Sequence, residues 1–300
     1  MKSMDTHNRV VFEKPDLAEL TRRYTVVDFH FHSRYSDGKN DIPSIVEKAR
    51  RLGIGIAITD HNSIEGAVEI DGYGDILTIP GIEITAREGA HLLVYFYSIE
   101  DLKHFFSELE PYLGKKVMIS TRLSMESLIS LARNYQSVII FPHPFSAFYT
   151  GICNPVFDDL RQKTLLRMAD GIEVINAGNL HRWNLESTVL GFNMETSLVG
   201  GSDGHHVSHM GRAVTCAPCE RDRAVFLDSV REGITRVVGK EINLLRKVGS
   251  GGTRMRSNMS TPADLMGKNV RYGTALINRQ SRRFRDNIRS LRVRKAKKRR

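Results

Sequence analysis

Cysteine is scarce: Cys153, Cys216 and Cys219 are the three in 300 residues, too few and too scattered for a disulfide framework. Long apolar runs are missing as well. No stretch of about 18 apolar residues occurs, which predicts no transmembrane helix. The opening MKSMDTHNRVVFEKPD has no apolar core, which argues against a secretory signal. A cytoplasmic location is expected on these grounds. No glycine-rich phosphate loop is present, which argues against phosphoryl transfer from a nucleotide. No short-period repeat is found, so a solenoid is not expected.

What is present is ordinary globular material, 41% hydrophobic and 26% charged, in a chain long enough for one large α/β domain or two small ones. The charge is unevenly spread. Residues 246–300 hold 18 Lys/Arg and 2 Asp/Glu, a net of +16, whereas residues 1–245 hold 26 and 32, a net of −6. The body is mildly acidic and the tail strongly basic. From GSGGT near Val248 onward the composition reads as a linker and a charge block, RRFRDNIRSLRVRKAKKRR, expected to be disordered or to form a short helix on binding.

The body alternates strand-like and helix-like patterns. Buried strands are expected at Thr25–Val27, Ile54–Thr59, Ile76–Ile79, Leu92–Tyr97, Val138–Phe141, Gly171–Ile175, Ser197–Val199 and Thr235–Val238. A helix should start at an Asp41 cap, carry Ile42, Ile45, Val46, Ala49 and Leu52 on one face, and close at Gly53. Others are expected near Met125–Arg133 and Ala224–Glu232. The alternation suggests a parallel barrel or a doubly wound sheet.

Chemistry-bearing residues sit at the ends of these strands. His30 and His32 in VVDFHFH point to one face of a strand, so both imidazoles can converge on one metal. Asp37 follows in SRYSDG. Asp60 and His61 end IGIAIT, Glu83 ends IPGIE, His143 ends VIIFPH, and Asp203 and His205 follow LVGG. C-terminal strand ends are where barrels and open α/β sheets assemble their sites. A hairpin centred on Arg87 would make Glu83 and His91 cross-strand partners able to share a metal. A lone buried histidine is more often a hydrogen-bonded core residue, and a lone aspartate at a strand end is often a helix cap. Their joint occurrence favours a metal. Mixed imidazole and carboxylate donors suit Zn²⁺, Mn²⁺ or Fe²⁺, and a structural thiolate zinc site is not the explanation.

The segments DFHFHSRYSDG, AITDHN, PGIEI, FPHPF and GSDGHH together resemble the PHP (polymerase and histidinol phosphatase) family, in order, over roughly residues 25–240. The resemblance implies a distorted (β/α)₇ barrel over residues 25–245, between a lead segment 1–24 and the basic tail 246–300. It implies a trinuclear centre of two or three divalent transition-metal ions. His30, His32, Glu83 and Asp203 would hold one ion. Glu83 would bridge to a second with His91 and His143. Asp37, His61 and His205 would hold a third, although some members carry a histidine in place of Asp37. The implied activity is a metal-dependent phosphoesterase, in which metal-activated hydroxide attacks a small phosphomonoester, a nucleotide or a nucleic-acid end.

Other residues carry weaker readings. Arg34 and Arg212 would grip a phosphate or be solvated surface arginines. Asn176 would line the pocket or serve a turn. His206 and His209 compete with His205, which alone keeps the i+2 spacing from Asp203. Cys216-Ala-Pro-Cys219 is a lone CxxC without a second pair. The expected partners are a phosphorylated small molecule or nucleotide, with RNA or DNA contacted by the tail. The rival readings are a nucleic-acid-binding protein with a structural metal site and an amide hydrolase.

Overall fold

The computed structural model describes residues 9–114, 117–146 and 150–242. The basic tail expectations therefore lie outside the described residues, as do those for the first eight. Ten strands form one curled sheet: β1 (Val10–Val11), β2 (Thr25–Phe31), β3 (Gly55–Ile58), β4 (Thr78–Thr85), β5 (His91–Phe96), β6 (Ser137–Phe141), β7 (Gly171–Asn176), β8 (Ser197–Gly201), β9 (Ala213–Ala217) and β10 (Arg236–Gly239). Their order is β1-β10-β9-β2-β3-β4-β5-β6-β7-β8. Among the described residues eight α-helices accompany them: α1 (Leu17–Arg23), α2 (Ile42–Leu52), α3 (Glu65–Asp71), α4 (Ile99–Leu109), α5 (Met125–Ala132), α6 (Asp159–Met168), α7 (His181–Met194) and α8 (Arg223–Arg231).

The sheet curls back on itself. Past β8, the Asp203 N–H donates to the His30 carbonyl at 2.8 Å and the His32 N–H donates to the Gly204 carbonyl at 3.0 Å. The chain beyond β8 thus returns to the C-terminal end of β2, while β9 pairs antiparallel with the first half of β2. A Cβ on Gly201 would collide with the His30 backbone, so only glycine permits this approach. Strands β2 to β8 form the barrel-like ring.

The parallel pattern is broken at β5, which runs antiparallel to β4, as the expected hairpin requires, and antiparallel to β6 as well. The short turn between Thr85 and His91 reverses the chain and sets the β4–β5 direction. The first residues of β4 pair parallel with β3 up to Pro80, and past it the Asn62 N–H donates to the Glu83 carbonyl at 2.8 Å, so the end of β4 is flanked on both sides. The strands β1 and β9 also escaped the sequence reading, as did α1, α3, α4, α6 and α7. The α2 helix follows expectation: the Asp41 side chain accepts from the Ser44 N–H, and Gly53 closes the helix at φ 70°.

Alternate residues divide two apolar regions. Val27, Phe29, Ala57, Ile79, Leu93, Tyr95, Val138, Ile140 and Val199 fill the interior of the curl, with Phe226, Leu227 and Val230 of α8 packed among them. The other strand faces, with Ile56, Ile82, Val94, Ile139 and Val174, meet the helices. Phe29 and Tyr95 stack at 3.8 Å between centroids, and the Tyr95 hydroxyl donates to the Phe29 carbonyl. This apolar floor underlies the polar cluster at the C-terminal ends of the strands. Among the described residues no helix is long and apolar enough to cross a membrane.

Candidate metal centre

Glu83 is the middle of the cluster and is 1% exposed. Its two oxygens face different partners. Oε2 lies 3.3 Å from His30 Nε2, 3.4 Å from His32 Nε2 and 3.1 Å from His61 Nδ1. Oε1 lies 2.7 Å from His91 Nδ1 and 3.2 Å from His143 Nε2. Asp203 Oδ1 approaches His32 Nε2 at 3.1 Å and His30 Nε2 at 3.6 Å. On the open side, Asp37 Oδ2 meets His205 Nε2 at 2.9 Å, and Asp37 Oδ1 lies 3.8 Å from His32 Nδ1. All nine residues expected as ligands are brought together.

Three groups have donor atoms close enough to share an ion: His32, Asp37, His61 and His205; His30, His32 and Asp203; and His61, Glu83 and His91. His32 and His61 each stand between two groups, whereas the sequence reading gave each to one. The donors fit divalent transition ions, being mixed imidazole nitrogens and carboxylate oxygens. Nδ1 of His32 is buried with no hydrogen-bond partner and lies 3.8 Å from Asp37 Oδ1. An orphaned buried nitrogen is costly, and a cation between the two would satisfy it.

Local backbone geometry serves the cluster. A bulge lies in β2 between Asp28 and Phe31 relative to β3. It lets Phe29 belong to the apolar floor while His30 and His32 both turn to the cluster. The β4–β5 hairpin pairs Thr85 with His91 and Glu83 with Leu93. Glu83 and His91 are therefore diagonal neighbours on one face, not opposite partners, because the turn is centred on Glu88 rather than Arg87. A two-residue offset preserves the face. His143, Asp203 and Asn62 have φ of 29°, 49° and 46°, strained values for such residues. Asn62 is tied down on both sides. Its Nδ2 donates to the Val117 and Ile119 carbonyls at 2.6 and 3.0 Å, and its Oδ1 accepts from the Thr85 N–H.

Electrostatics follow from burial against proximity. Burial would raise Glu83, but His61, His91 and His30 hold it well below the usual carboxylate range. Burial opposes charge on His205, but Asp37 carries it up to about 9. Burial pushes His61 down to about 3 against the pull of Glu83 and Asp37. Anionic carboxylates among imidazoles that cannot all be protonated favour a bound cation.

Arg34 and Arg212 are not drawn into the cluster. Arg34 is exposed, with its guanidinium 5.7 Å over the Tyr35 ring. Arg212 is half-buried beside Lys48. His206 pairs with Ser208 and lies near the His209 ring, so His205 alone of the three histidines joins the centre. Cys216 is buried among the outer apolar set and Cys219 borders the inner one, so the CxxC thiols sit in different apolar regions. Asn176 lies inside the site, its Nδ2 donating to Glu173 Oε2 at 2.8 Å and reaching Asp203 Oδ2 at 3.3 Å.

Two carboxylates escaped the sequence reading of roles. Asp60 is buried and accepts from the Ser33 N–H at 2.7 Å and from the Ser33 and Ser36 hydroxyls at 2.5 Å each. It shapes the loop that carries Asp37. Glu173 is buried in β7 and contacts His30. The signal for it was a lone charge in the apolar run GIEVIN.

A family model described as the PHP domain matches residues 28–178. The uncharacterized protein MJ1587 of Methanocaldococcus jannaschii is 28% identical over 166 residues, which are 50% of this chain and 81% of that protein. Two solved structures share the fold. One is a two-domain protein from Bacteroides vulgatus containing a predicted PHP-like metal-dependent phosphoesterase, 22% identical with a TM-score of 0.54 over 80% of this chain and 73% of that one. The other is the lesion-specific endonuclease PfuEndoQ of Pyrococcus furiosus, 15% identical with a TM-score of 0.58 over 71% of this chain and 57% of that one. With the five ordered motifs and the family match over half its length, the chain belongs to the PHP domain family.

Proposed function

We propose that the nine-residue cluster holds two or three divalent ions and hydrolyses phosphate esters there. The observation that carries this reading is the division of Glu83 between two sets of imidazoles, the geometry of a bridging carboxylate. His30, His32, Glu83 and Asp203 would hold one ion; His91 and His143 would join Glu83 at a second; Asp37, His61 and His205 would complete a third. Bound ions would neutralise phosphoryl oxygens and bring the pKa of water toward neutrality.

The protein's own part is positioning and exclusion. Asp37 and His205, at 24% and 35% side-chain exposure, form the open side, while His32 and Glu83 are closed off. A phosphate ester would enter beside them, between the loops after β2 and β8. Ser33 and Ser36 both donate to Asp60, so neither hydroxyl is poised as a nucleophile. Water is the attacking group that suits such a site. Neither Arg34 nor Arg212 is drawn into the cluster, so the ions themselves would carry the charge neutralisation.

The substrate reading has two members. A small phosphomonoester or nucleotide suits the acidic body. A nucleic-acid end is favoured by the net +16 of residues 246–300, which would attract a polyanion. The test is turnover by full-length protein reconstituted with Mn²⁺, Zn²⁺ or Fe²⁺ on phosphomonoesters, nucleotides and 5′-phosphorylated oligonucleotides. Hydrolysis of at least one is expected. Full ion occupancy without turnover of any would overturn the reading in favour of a structural metal site.

A further inference from the structure

We propose that Glu173 is a positioning residue for this centre: it fixes the tautomer of His30 and anchors His143 and, through Asn176, Asp203. The inference rests on the reading that the cluster binds divalent ions. Glu173 is 1% exposed and stands in β7, between strands that carry prospective ligands on both sides. Oε1 lies 3.0 Å from His30 Nδ1. Oε2 accepts the His143 N–H at 2.9 Å and Asn176 Nδ2 at 2.8 Å. The same Asn176 nitrogen reaches Asp203 Oδ2 at 3.3 Å. One side chain thus links groups from β2, the end of β6 and the loop after β8.

The tautomer follows from chemistry. A carboxylate can only accept, so His30 must carry its proton on Nδ1. Nε2, which faces His32, Glu83 and Asp203, is then the nitrogen that would ligate a bound ion. A histidine that donates its far N–H to a carboxylate is oriented and made a stronger ligand. The second arm acts on the backbone. His143 sits at φ 29°, and its N–H is held by Glu173 in that unfavourable conformation. The network around Asn176 also settles its orientation, since only its amide N–H₂ can face two carboxylates.

Stability alone does not account for Glu173. Among the described residues it has no Lys or Arg partner, and a buried carboxylate of this kind adds less to folding than an apolar side chain of similar volume. Its hydrogen bonds are spent on prospective ligands and on Asn176.

Three measurements on the full chain test this. In Zn²⁺-loaded wild-type protein, ¹⁵N NMR of the histidine side chains should show His30 protonated at Nδ1 and ligated through Nε2. Ligation through Nδ1 would overturn the proposal without any variant. Glu173→Gln and Glu173→Asp should then need about 10- to 100-fold more Zn²⁺ or Mn²⁺ for half-saturation, with the metal-free melting temperature little changed. Should the Glu173 variants fail to fold, Asn176→Ala, which cuts the arm to Asp203, should give a smaller shift in the same direction. Wild-type affinity in Glu173→Gln would sink the positioning role and leave the metal centre standing. A lowered affinity matched by a lowered metal-free melting temperature, with the His30 Nδ1–H signal intact, would reduce Glu173 to a folding role. A wild-type protein that takes up no ion would overturn the underlying reading and the proposal together.

Discussion

Glu83 shows how much one side chain can carry. Its oxygens divide five imidazoles into two sets, so removing it unlinks the groups rather than thinning one of them. Glu83→Ala is expected to lower turnover by at least about 10²-fold, because both charge neutralisation and water activation depend on the ions. Ion analysis of the same variant should show fewer ions per chain than wild type. His30→Ala should behave alike. Asn62 has a different task. It holds φ 46° and cross-links the 117–119 segment to β4. Asn62→Ala would lose those bonds and keep the strained backbone, at a cost of about 2–3 kcal/mol, read by denaturant unfolding. Cys216 supplies the contrast. Burial pushes its thiol up to about 12, so little thiolate forms near neutral pH. Iodoacetamide should leave it unmodified in native protein, and Cys216→Ser should keep turnover within about twofold, since nothing near the site depends on it. Rapid labelling of Cys216 in the native state would show that the packing around it is wrong.

At the scale of elements, the legible features were those with a local cause. Asp41 and Gly53 marked the ends of α2 because capping uses neighbouring residues. His30 and His32 were paired correctly because strand alternation is local. The Glu83–His91 register was misjudged because a turn of unknown length sets it. The antiparallel pairing of β5 with β6 and the bulge in β2 depend on which strands become neighbours, which composition does not reveal. Glu173 was missed for the same reason: its meaning comes from His30, 143 positions away. One inter-element network makes a pH-dependent prediction. Arg161 of α6 holds Glu126 of α5 by paired contacts at 2.6 and 2.7 Å, and also reaches Glu88 in the β4–β5 turn. The Arg161 hydrogen bond lowers Glu126 to about 2. A depressed carboxylate stabilises the fold above its unfolded pKa, about 4.5, and that contribution is lost as pH falls toward 2. Both partners are about a third exposed, so screening limits the pair to about 1 kcal/mol. Arg161→Met should therefore melt lower than wild type at pH 6, and the gap should narrow steadily between pH 4.5 and 3. A gap that stays constant or widens on acidification would remove the ion pair as its cause.

For the whole molecule, the acidic body and the basic tail pose the largest question. The curled sheet brings the nine prospective ligands, all between His30 and His205, together, so the described residues contain the proposed cluster. The body carries a net −6 and would repel a polyanion except at its cations. The tail carries a net +16, with Arg and Lys interleaved with Phe284, Ile288, Leu291 and Val293. Such a segment should bind RNA or DNA by releasing condensed counterions, with little sequence preference and a steep dependence on salt. If that binding serves catalysis, it should act on KM for long substrates and not on the chemical step. Truncation after Lys247 separates the two. The shortened protein should turn over a small phosphate ester at the full-length rate, because the site is intact. Its affinity for an oligonucleotide should fall, and the slope of log affinity against log salt should flatten toward zero. Equal affinity and equal salt slope in the two proteins would remove the tail as a binding element. A loss of small-ester turnover on truncation would mean instead that residues beyond 247 contribute to the site.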